Sequence, residues 1–296
     1  MTISEIIQKY TNKLDYLDLE ILIANSLGKT REFVLTYPEY KLTKFQISNF
    51  KFQINRRLKG EPIAYILGHK EFYGLDFIVN KHTLVPRPET ELLVELVLNE
   101  ISNFQFPISN LGIVDIGTGS GNIIISIANL DSRLRGNDKV EYFGIDISKE
   151  ALTIAKKNAA ANGVDKKIKF LHGSLLEPFI GNWKLEIGNS TIVIVANLPY
   201  LSKEIYSSAP IDVKKFEPKS ALYSPEAGLQ HYRKLLEQLQ DFLANCQLSH
   251  VTCFLEISPE QKQPLAKLIK SIFPKTKPEF KKDLAGKWRV CKIEIK

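Results

Sequence analysis

From residue 111 onward, short and mainly apolar runs alternate with stretches of helical period, and this alternation leaves few folds open. The runs cover 112–116, 142–145, 168–171, 192–196 and 251–257; the helical stretches between them include 122–130, 149–162 and 230–245. A strand that is apolar along its length needs cover on both faces, and strands separated by helices pair in parallel through crossovers. The expected class is therefore α/β, with a mostly parallel sheet between helical layers. The closing segment Trp288-Arg289-Val290-Cys291-Lys292-Ile293-Glu294-Ile295 alternates as an antiparallel edge strand should.

Residues 1–70 have a different texture. Ile3, Ile6, Ile7 and Tyr10 recur at helical spacing, Leu17 to Ile23 form a second apolar stretch, and Phe45, Ile47, Phe50, Phe52, Ile54 and Leu58 fill a third. A small helical domain is expected there, then a β-hairpin linker over 71–85 and the α/β domain over 86–296. The loop at 131–139 is polar and long for its position. With 44% hydrophobic and 25% charged residues, the chain has the composition of a soluble globular protein. No apolar stretch is long enough for a membrane span, and Met1 to Glu5 do not open an export signal. Cys246, Cys253 and Cys291 are too few for a disulfide framework and sit among apolar neighbours, so they read as reduced, buried thiols. A cytoplasmic location is expected. The net charge of +7 includes two basic runs, 41–59 and 262–282, which fit solvated helix faces or contact with RNA. The histidines are scattered without ligand spacing, so no metal is expected.

The first strand of the α/β region ends in Asp115-Ile116-Gly117-Thr118-Gly119-Ser120-Gly121 and a helix begins at once. Glycines at such a turn admit a ligand close to the backbone and to helix N-terminal amides. One strand later, Asp146 ends Phe143-Gly144-Ile145, where a carboxylate can accept ribose hydroxyls. A dinucleotide fingerprint needs its third glycine where Asn122 stands. Instead the loop resembles that of S-adenosylmethionine methyltransferases, with Asp115 available to orient the methionine end of the cofactor. Glycines serving only a tight turn are the plainer alternative.

The fourth strand runs into Asn197-Leu198-Pro199-Tyr200, at the strand end where open α/β sheets hold ligands. An amide or exocyclic amine is a poor nucleophile because its lone pair is delocalised. The Asn197 side-chain oxygen and the Leu198 carbonyl can accept its two N–H groups, hold it in line with a methyl donor and stabilise the developing charge. Pro199 biases Leu198 toward an extended conformation, and Tyr200 offers a ring face for stacking. A strand followed by an Asn-Pro turn is the structural alternative.

With these residues in place, the chain resembles the release-factor glutamine methyltransferases (the HemK or PrmC family) over nearly its whole length. Leu84-Val85-Pro86-Arg87-Pro88-Glu89-Thr90-Glu91 is similar to the family signature that precedes the catalytic domain. Phe216-Glu217-Pro218, Ala221-Leu222, Gly228-Leu229, Glu256-Ile257 with Gln261, and Asp283-Leu284-Ala285-Gly286 with Arg289 match further family segments. Three positions depart from the pattern: Leu198 replaces a proline, Ser174-Leu175 stand where Asp-Trp is common, and Ser258 replaces a glycine. The resemblance implies a seven-stranded Rossmann-like methyltransferase domain behind a helical domain that docks the substrate. It implies S-adenosyl-L-methionine as cofactor, held by Gly117, Thr118, Gly119, Ser120, Gly121, Asp146, Ser174 and Asn197. It implies methylation of the glutamine in the Gly-Gly-Gln loop of class I peptide chain release factors. Asn197, Leu198, Pro199 and Tyr200 would be catalytic, Glu217 and Pro218 would add to substrate binding, and Arg87, Glu89, Thr90 and Asp115 would support the site. Linker salt bridges are the alternative for Arg87 and Glu89. A monomer without direct nucleic-acid contact is expected.

Two other functions fit parts of the pattern. An adenine-N6 methyltransferase would present its acceptor amine to the same tetrapeptide, but rRNA dimethylases place their helical domain after the glycine loop, the reverse of this order. A non-catalytic, ribosome-associated cofactor-binding module would account for Leu198 and the basic runs, though not for the intact Asn197, Pro199, Tyr200 and Asp146.

Overall fold

The structure, a computed structural model, describes residues 1–103, 110–131, 140–180, 190–245 and 250–295. Cys246 and most of the 131–139 loop lie outside these residues. The chain forms two compact units, Met1–Gly68 with Pro210–Phe216, and His69–Ala209 with Glu217–Lys296.

The first unit contains α1 (Ile3–Tyr10), α2 (Tyr16–Leu27), α3 (Arg31–Thr36), α4 (Lys44–Leu58) and α5 (Ile63–Leu67). Thr2 with Glu5 and Thr43 with Gln46 form capping boxes that start α1 and α4. Ile3, Ile6, Leu19, Leu22, Ile23, Phe50 and Ile54 make the core. The α4 helix departs from its sequence reading, because Phe45 and Phe52 are 80% and 63% exposed. Its basic run is also not a uniformly solvated face: Arg56 pairs with Glu61 and Arg57 with Asp18, both at 2.6 Å.

The second unit opens with a hairpin of β1 (His69–Phe72) and β2 (Leu75–Ile78). The elements that follow are α6 (Glu91–Ser102), β3 (Asn110–Ile116), α7 (Asn122–Asp131), β4 (Val140–Asp146), α8 (Lys149–Ala161), β5 (Ile168–His172), α9 (Glu177–Ile180), β6 (Ser190–Ala196), α10 (Lys203–Ser208), α11 (Ile211–Phe216, part of the first unit), α12 (Pro225–Gly228), α13 (Gln230–Ala244), β7 (His250–Glu256), α14 (Lys262–Ile272), β8 (Glu279–Lys282) and β9 (Trp288–Ile295). The seven-stranded sheet has the order β5-β4-β3-β6-β7-β9-β8. Its first five strands are parallel, and β9 and β8 are antiparallel. The closing segment is therefore not the edge. β9 lies between β7 and β8, and the short, mostly charged β8 forms the edge.

Both sheet faces are apolar, as full burial requires. On β3, Val114 and Ile116 join one core with Leu235, Leu239 and Leu265 of α13 and α14. Ile113 faces the other core, with Leu93 and Val97 of α6 and Ile124 of α7. No helix among the described residues is long and apolar enough to cross a membrane.

Candidate active site

The parallel strands β3, β4 and β6 all end at a cavity of about 260 Å³. Switching the chain from strand to helix leaves N–H groups free at this edge, and that is where ligands sit in open α/β sheets. The cavity wall brings together Arg87, Thr90, Gly117, Thr118, Gly119, Ser120, Asp146, Ser174, Asn197, Leu198, Pro199 and Pro218. Glu89, Asp115, Gly121, Tyr200 and Glu217 are not among the lining residues.

For Gly121, Asp115 and Glu217 the cause is local, whereas Glu89 is an exposed side chain. Gly121 adopts φ +82°, and a Cβ there would come within 2.7 Å of Ile125, so this glycine serves close helix packing. Asp115 is fully buried, accepts a 2.7 Å hydrogen bond from the Thr118 hydroxyl, and leaves Oδ1 without a partner. Burial pushes its carboxyl up to about 7 against the Thr118 bond, so it braces the glycine loop from beneath. Glu217, 5% exposed, accepts from Arg87 and, at 3.2 Å, from the Val85 N–H. It fixes the 85–87 segment, and Arg87 reaches the wall from there.

Asp146 is held by two backbone N–H groups at the end of β4. Its Oδ2 accepts from the Gly119 N–H at 2.9 Å and its Oδ1 from the Ser148 N–H at 2.8 Å. Burial raises its pKa and these bonds oppose the rise. The result is an oriented carboxylate in the wall, with lone pairs left for hydroxyl donors.

The tetrapeptide after β6 is held at several points. Asn197 Nδ2 donates to Thr90 Oγ1 at 3.2 Å. Leu198, 3% exposed, belongs to the sheet core as well as the wall. The Tyr200 hydroxyl turns inward to Glu256 at 3.4 Å. Burial and Glu256 raise its pKa, so the phenol stays protonated. Gln261 Nε2 donates to the carbonyls of Tyr200 and Gly228, at 3.4 and 2.9 Å. Leu201 then pairs with the 222–224 segment, Leu201 N–H to Leu222 O and Ser224 N–H to Leu201 O. Beyond it, Glu226, Ala227 and Gly228 all have positive φ, of 54°, 52° and 87°.

Three residues around the site, Asn158, His231 and Lys234, carried no functional signal in the sequence. Asn158, fully buried on α8, bonds the Ser120 carbonyl and both backbone groups of Ile78, tying the hairpin to the glycine loop. His231 and Lys234 of α13 reach the wall, and the His231 Nδ1 meets the Ser224 hydroxyl at 2.8 Å. Burial lowers the His231 pKa, with Lys234 adding to the effect. Glu256, 1% exposed beneath the tetrapeptide, has a carboxyl pushed up to about 7 by burial.

The helical unit matches the PrmC N-terminal domain over residues 5–68, and residues 108–198 match a methyltransferase domain. A release factor glutamine methyltransferase of Bacillus anthracis is 36% identical over 93% of this chain and 91% of its own length. One from Bacillus subtilis (strain 168) is 32% identical over 93% and 90%. Among solved structures, human methyltransferase 10 domain containing protein superposes with a TM-score of 0.50 at 17% identity, covering 83% of this chain and 96% of its own; the likeness is one of fold. By sequence likeness over nearly its full length, this chain belongs to the release factor glutamine methyltransferase family.

Proposed function

We propose that this chain methylates the side-chain amide nitrogen of the glutamine in the Gly-Gly-Gln loop of class I release factors, using S-adenosyl-L-methionine. The observation that carries this reading is the Asn197 amide in the cavity wall, its NH2 occupied by Thr90 and its oxygen left to accept. An acceptor oxygen there suits a substrate nitrogen with two hydrogens.

The cavity fits the cofactor on its own terms. The oriented Asp146 carboxylate suits a vicinal diol, and the glycine loop lets a ligand approach the backbone. When bound, S-adenosyl-L-methionine supplies an electrophilic methyl group on a sulfonium. Gly117, Thr118, Gly119, Ser120, Asp146 and Ser174 would hold it, with Gly121 and Asp115 supporting the loop from behind. The Asn197 oxygen and the Leu198 carbonyl would accept the two N–H groups of the substrate amide, orient its lone pair and stabilise the positive charge it gains. Arg87, fixed by Glu217, and Pro218 would border the entrance. Tyr200 contributes through the backbone it anchors. The helical unit would dock the release factor, and the enzyme would act as a cytoplasmic monomer.

Mass spectrometry of release-factor peptides after incubation with protein and cofactor tests the reading. The glutamine should gain one methyl group, and Asn197→Ala should slow transfer by about 10²–10³-fold. Methylation of adenine in RNA, with the glutamine untouched, would replace it by the nucleic-acid alternative.

A further inference from the structure

Asn158 is a fully buried polar residue on α8, and its side-chain amide bonds only backbone groups. Its Oδ1 accepts from the Ile78 N–H at 2.7 Å, while its Nδ2 donates to the Ile78 carbonyl at 3.0 Å and to the Ser120 carbonyl at 2.8 Å. These partners fix which way the amide faces, because a half-turn would set NH2 against an N–H and oxygen against two carbonyls. Toward Ile78, the amide takes the place of a further strand beside β2, bonding the N–H and the C=O of one residue together. Toward Ser120, it holds the peptide that closes the glycine loop. The carbonyl of that peptide is bonded by Asn158, and its N–H, on Gly121, donates to the Thr118 carbonyl at 2.8 Å.

Both partners lead into the cavity wall. Ile78 ends β2, and Asn80 then turns the chain, accepting from the Thr83 N–H at its carbonyl and from the His82 N–H at its Oδ1, both at 3.0 Å. That turn delivers His82, Thr83 and Leu84 to the wall. On the other side Ser120 lines the wall itself. The Gly117 and Thr118 N–H groups are taken up by the Ile145 carbonyl and the Gly119 N–H by Asp146. The Ser120 N–H makes no such bond among the described residues, so the residue that Asn158 holds is the one whose amide is left for a ligand.

We propose that Asn158 is a positioning residue for the cofactor: one buried amide sets the spacing between the glycine loop and the 82–84 segment, and so couples cofactor binding to the order of the hairpin. This rests on the reading of the cavity as the S-adenosyl-L-methionine site, whatever acceptor is methylated. Asn158 is not itself a lining residue and acts from behind the wall. A ligand that favours the held form of the loop must, by reciprocity, favour the held form of Ile78.

The product S-adenosylhomocysteine is the probe, since it fills the cavity without turnover. Bound to the wild-type protein, it should slow hydrogen exchange of the Ile78 amide by about threefold or more. Asn158→Ala should raise the calorimetric Kd for the probe by about tenfold to a hundredfold, the reach of one buried hydrogen bond. At saturating cofactor its single-turnover rate on a release factor should stay within about threefold, because Asn197 and Leu198 are unchanged. Asn158→Asp keeps the volume and the acceptor for the Ile78 N–H but loses both donated bonds. Its Kd should rise at least as far, and the probe should no longer slow exchange at Ile78. Asn162→Ala is the control. It removes a bond from Asn162 Nδ2 to the Asp76 carbonyl, at 3.2 Å, which holds the hairpin to α8 without reaching the glycine loop. Its Kd should stay within about twofold of wild type.

Probe binding with no change at the wild-type Ile78 amide, an Asn158→Asp affinity equal to wild type, or an equal loss in Asn162→Ala would each overturn the proposal. A wild-type chain that binds the probe and shows the Ile78 effect, yet leaves release factors unmethylated, would defeat the functional reading and uphold the role of Asn158.

Discussion

Gly228→Ala gives the most direct access to how the tetrapeptide is held. Gly228 sits at φ +87°, and a Cβ there would lie 2.1 Å from the Tyr200 carbonyl oxygen and 2.7 Å from Gln261 Nε2. An ordinary carbon–oxygen contact needs about 3.3 Å, so the turn or the Tyr200 peptide must move by roughly 1 Å. The left-handed conformation adds about 1–2 kcal/mol for a side chain. Loss of the Gln261 bonds to these two carbonyls adds about 1 kcal/mol. A stability loss of about 2–4 kcal/mol follows, which for a unit of this size lowers Tm by roughly 5–15 °C. A 1 Å displacement of the Tyr200 peptide, three residues after Asn197, should also slow methyl transfer by about 10². Ala227→Gly makes the opposite change one residue earlier, where φ is already +52°. It removes about 1–2 kcal/mol of left-handed strain and adds about 0.4–1 kcal/mol of unfolded-chain entropy, so stability should rise slightly. Calorimetric melting and single-turnover methylation read both variants. A Gly228→Ala protein that melts and turns over like wild type would refute the close approach on which this rests.

Asp146→Ala should weaken cofactor binding by about 1.5–3 kcal/mol, the range for a hydrogen bond to a charged group, and calorimetric titration measures it. Unchanged affinity would remove Asp146 from the site. The Asp115 carboxyl, raised by burial from 3.8 to about 7, costs nothing while protonated and destabilises the fold progressively as pH rises from about 4 to 7. Asp115→Asn should therefore gain on the order of 2–4 kcal/mol at pH 8 and little at pH 4.5, shown by the slope of Tm against pH. Leu198→Pro keeps the backbone carbonyl but removes buried side-chain surface; stability should fall by about 1–2 kcal/mol while glutamine methylation persists. Abolished turnover in a folded Leu198→Pro protein would show that the leucine side chain itself contacts the substrate.

The central strands were legible because burial on both faces leaves few polar positions to blur them. The run read at 192–196 is the core of β6, and all seven residues of that strand are buried. β8 was not legible, because Glu279-Phe280-Lys281-Lys282 offers one apolar residue and an edge strand needs no more. Without β8, the alternating β9 could only be read as the margin. Gly117, Gly119, Asp146 and Asn197 could be placed at the cavity from sequence because they stand at strand ends, where open α/β sheets hold ligands. The inward turn of Tyr200 and the pairing of Glu217 with Arg87 were not, because a motif gives identity without side-chain direction. His231 and Lys234 reach the wall from a helix whose sequence pattern reports only its buried face, and Asn158 is a polar residue on the buried face of α8 that an apolar pattern passes over.

Leu198 shows how a departure from a motif can leave the backbone as restrained as before. Proline would restrict the backbone through its ring, whereas leucine leaves φ free. Here the neighbours supply the restriction. On one side the Asn197 side chain is bonded to Thr90, and on the other the Tyr200 carbonyl is bonded to Gln261 while its hydroxyl meets Glu256. The Leu198 side chain is itself confined: a Cβ on Gly117 would meet its Cδ2 at 3.3 Å, and it shares a core cluster with Leu175 and Leu229. A peptide anchored at both ends and packed in the middle has few conformations left to lose, so the carbonyl at position 198 keeps its direction without a ring. Leu175 completes the same apolar surface at φ +51°, where a small unbranched turn residue would be less strained. Both leucines line the cavity and extend into the core behind it, so two of the three departures from the family pattern fall on one continuous wall.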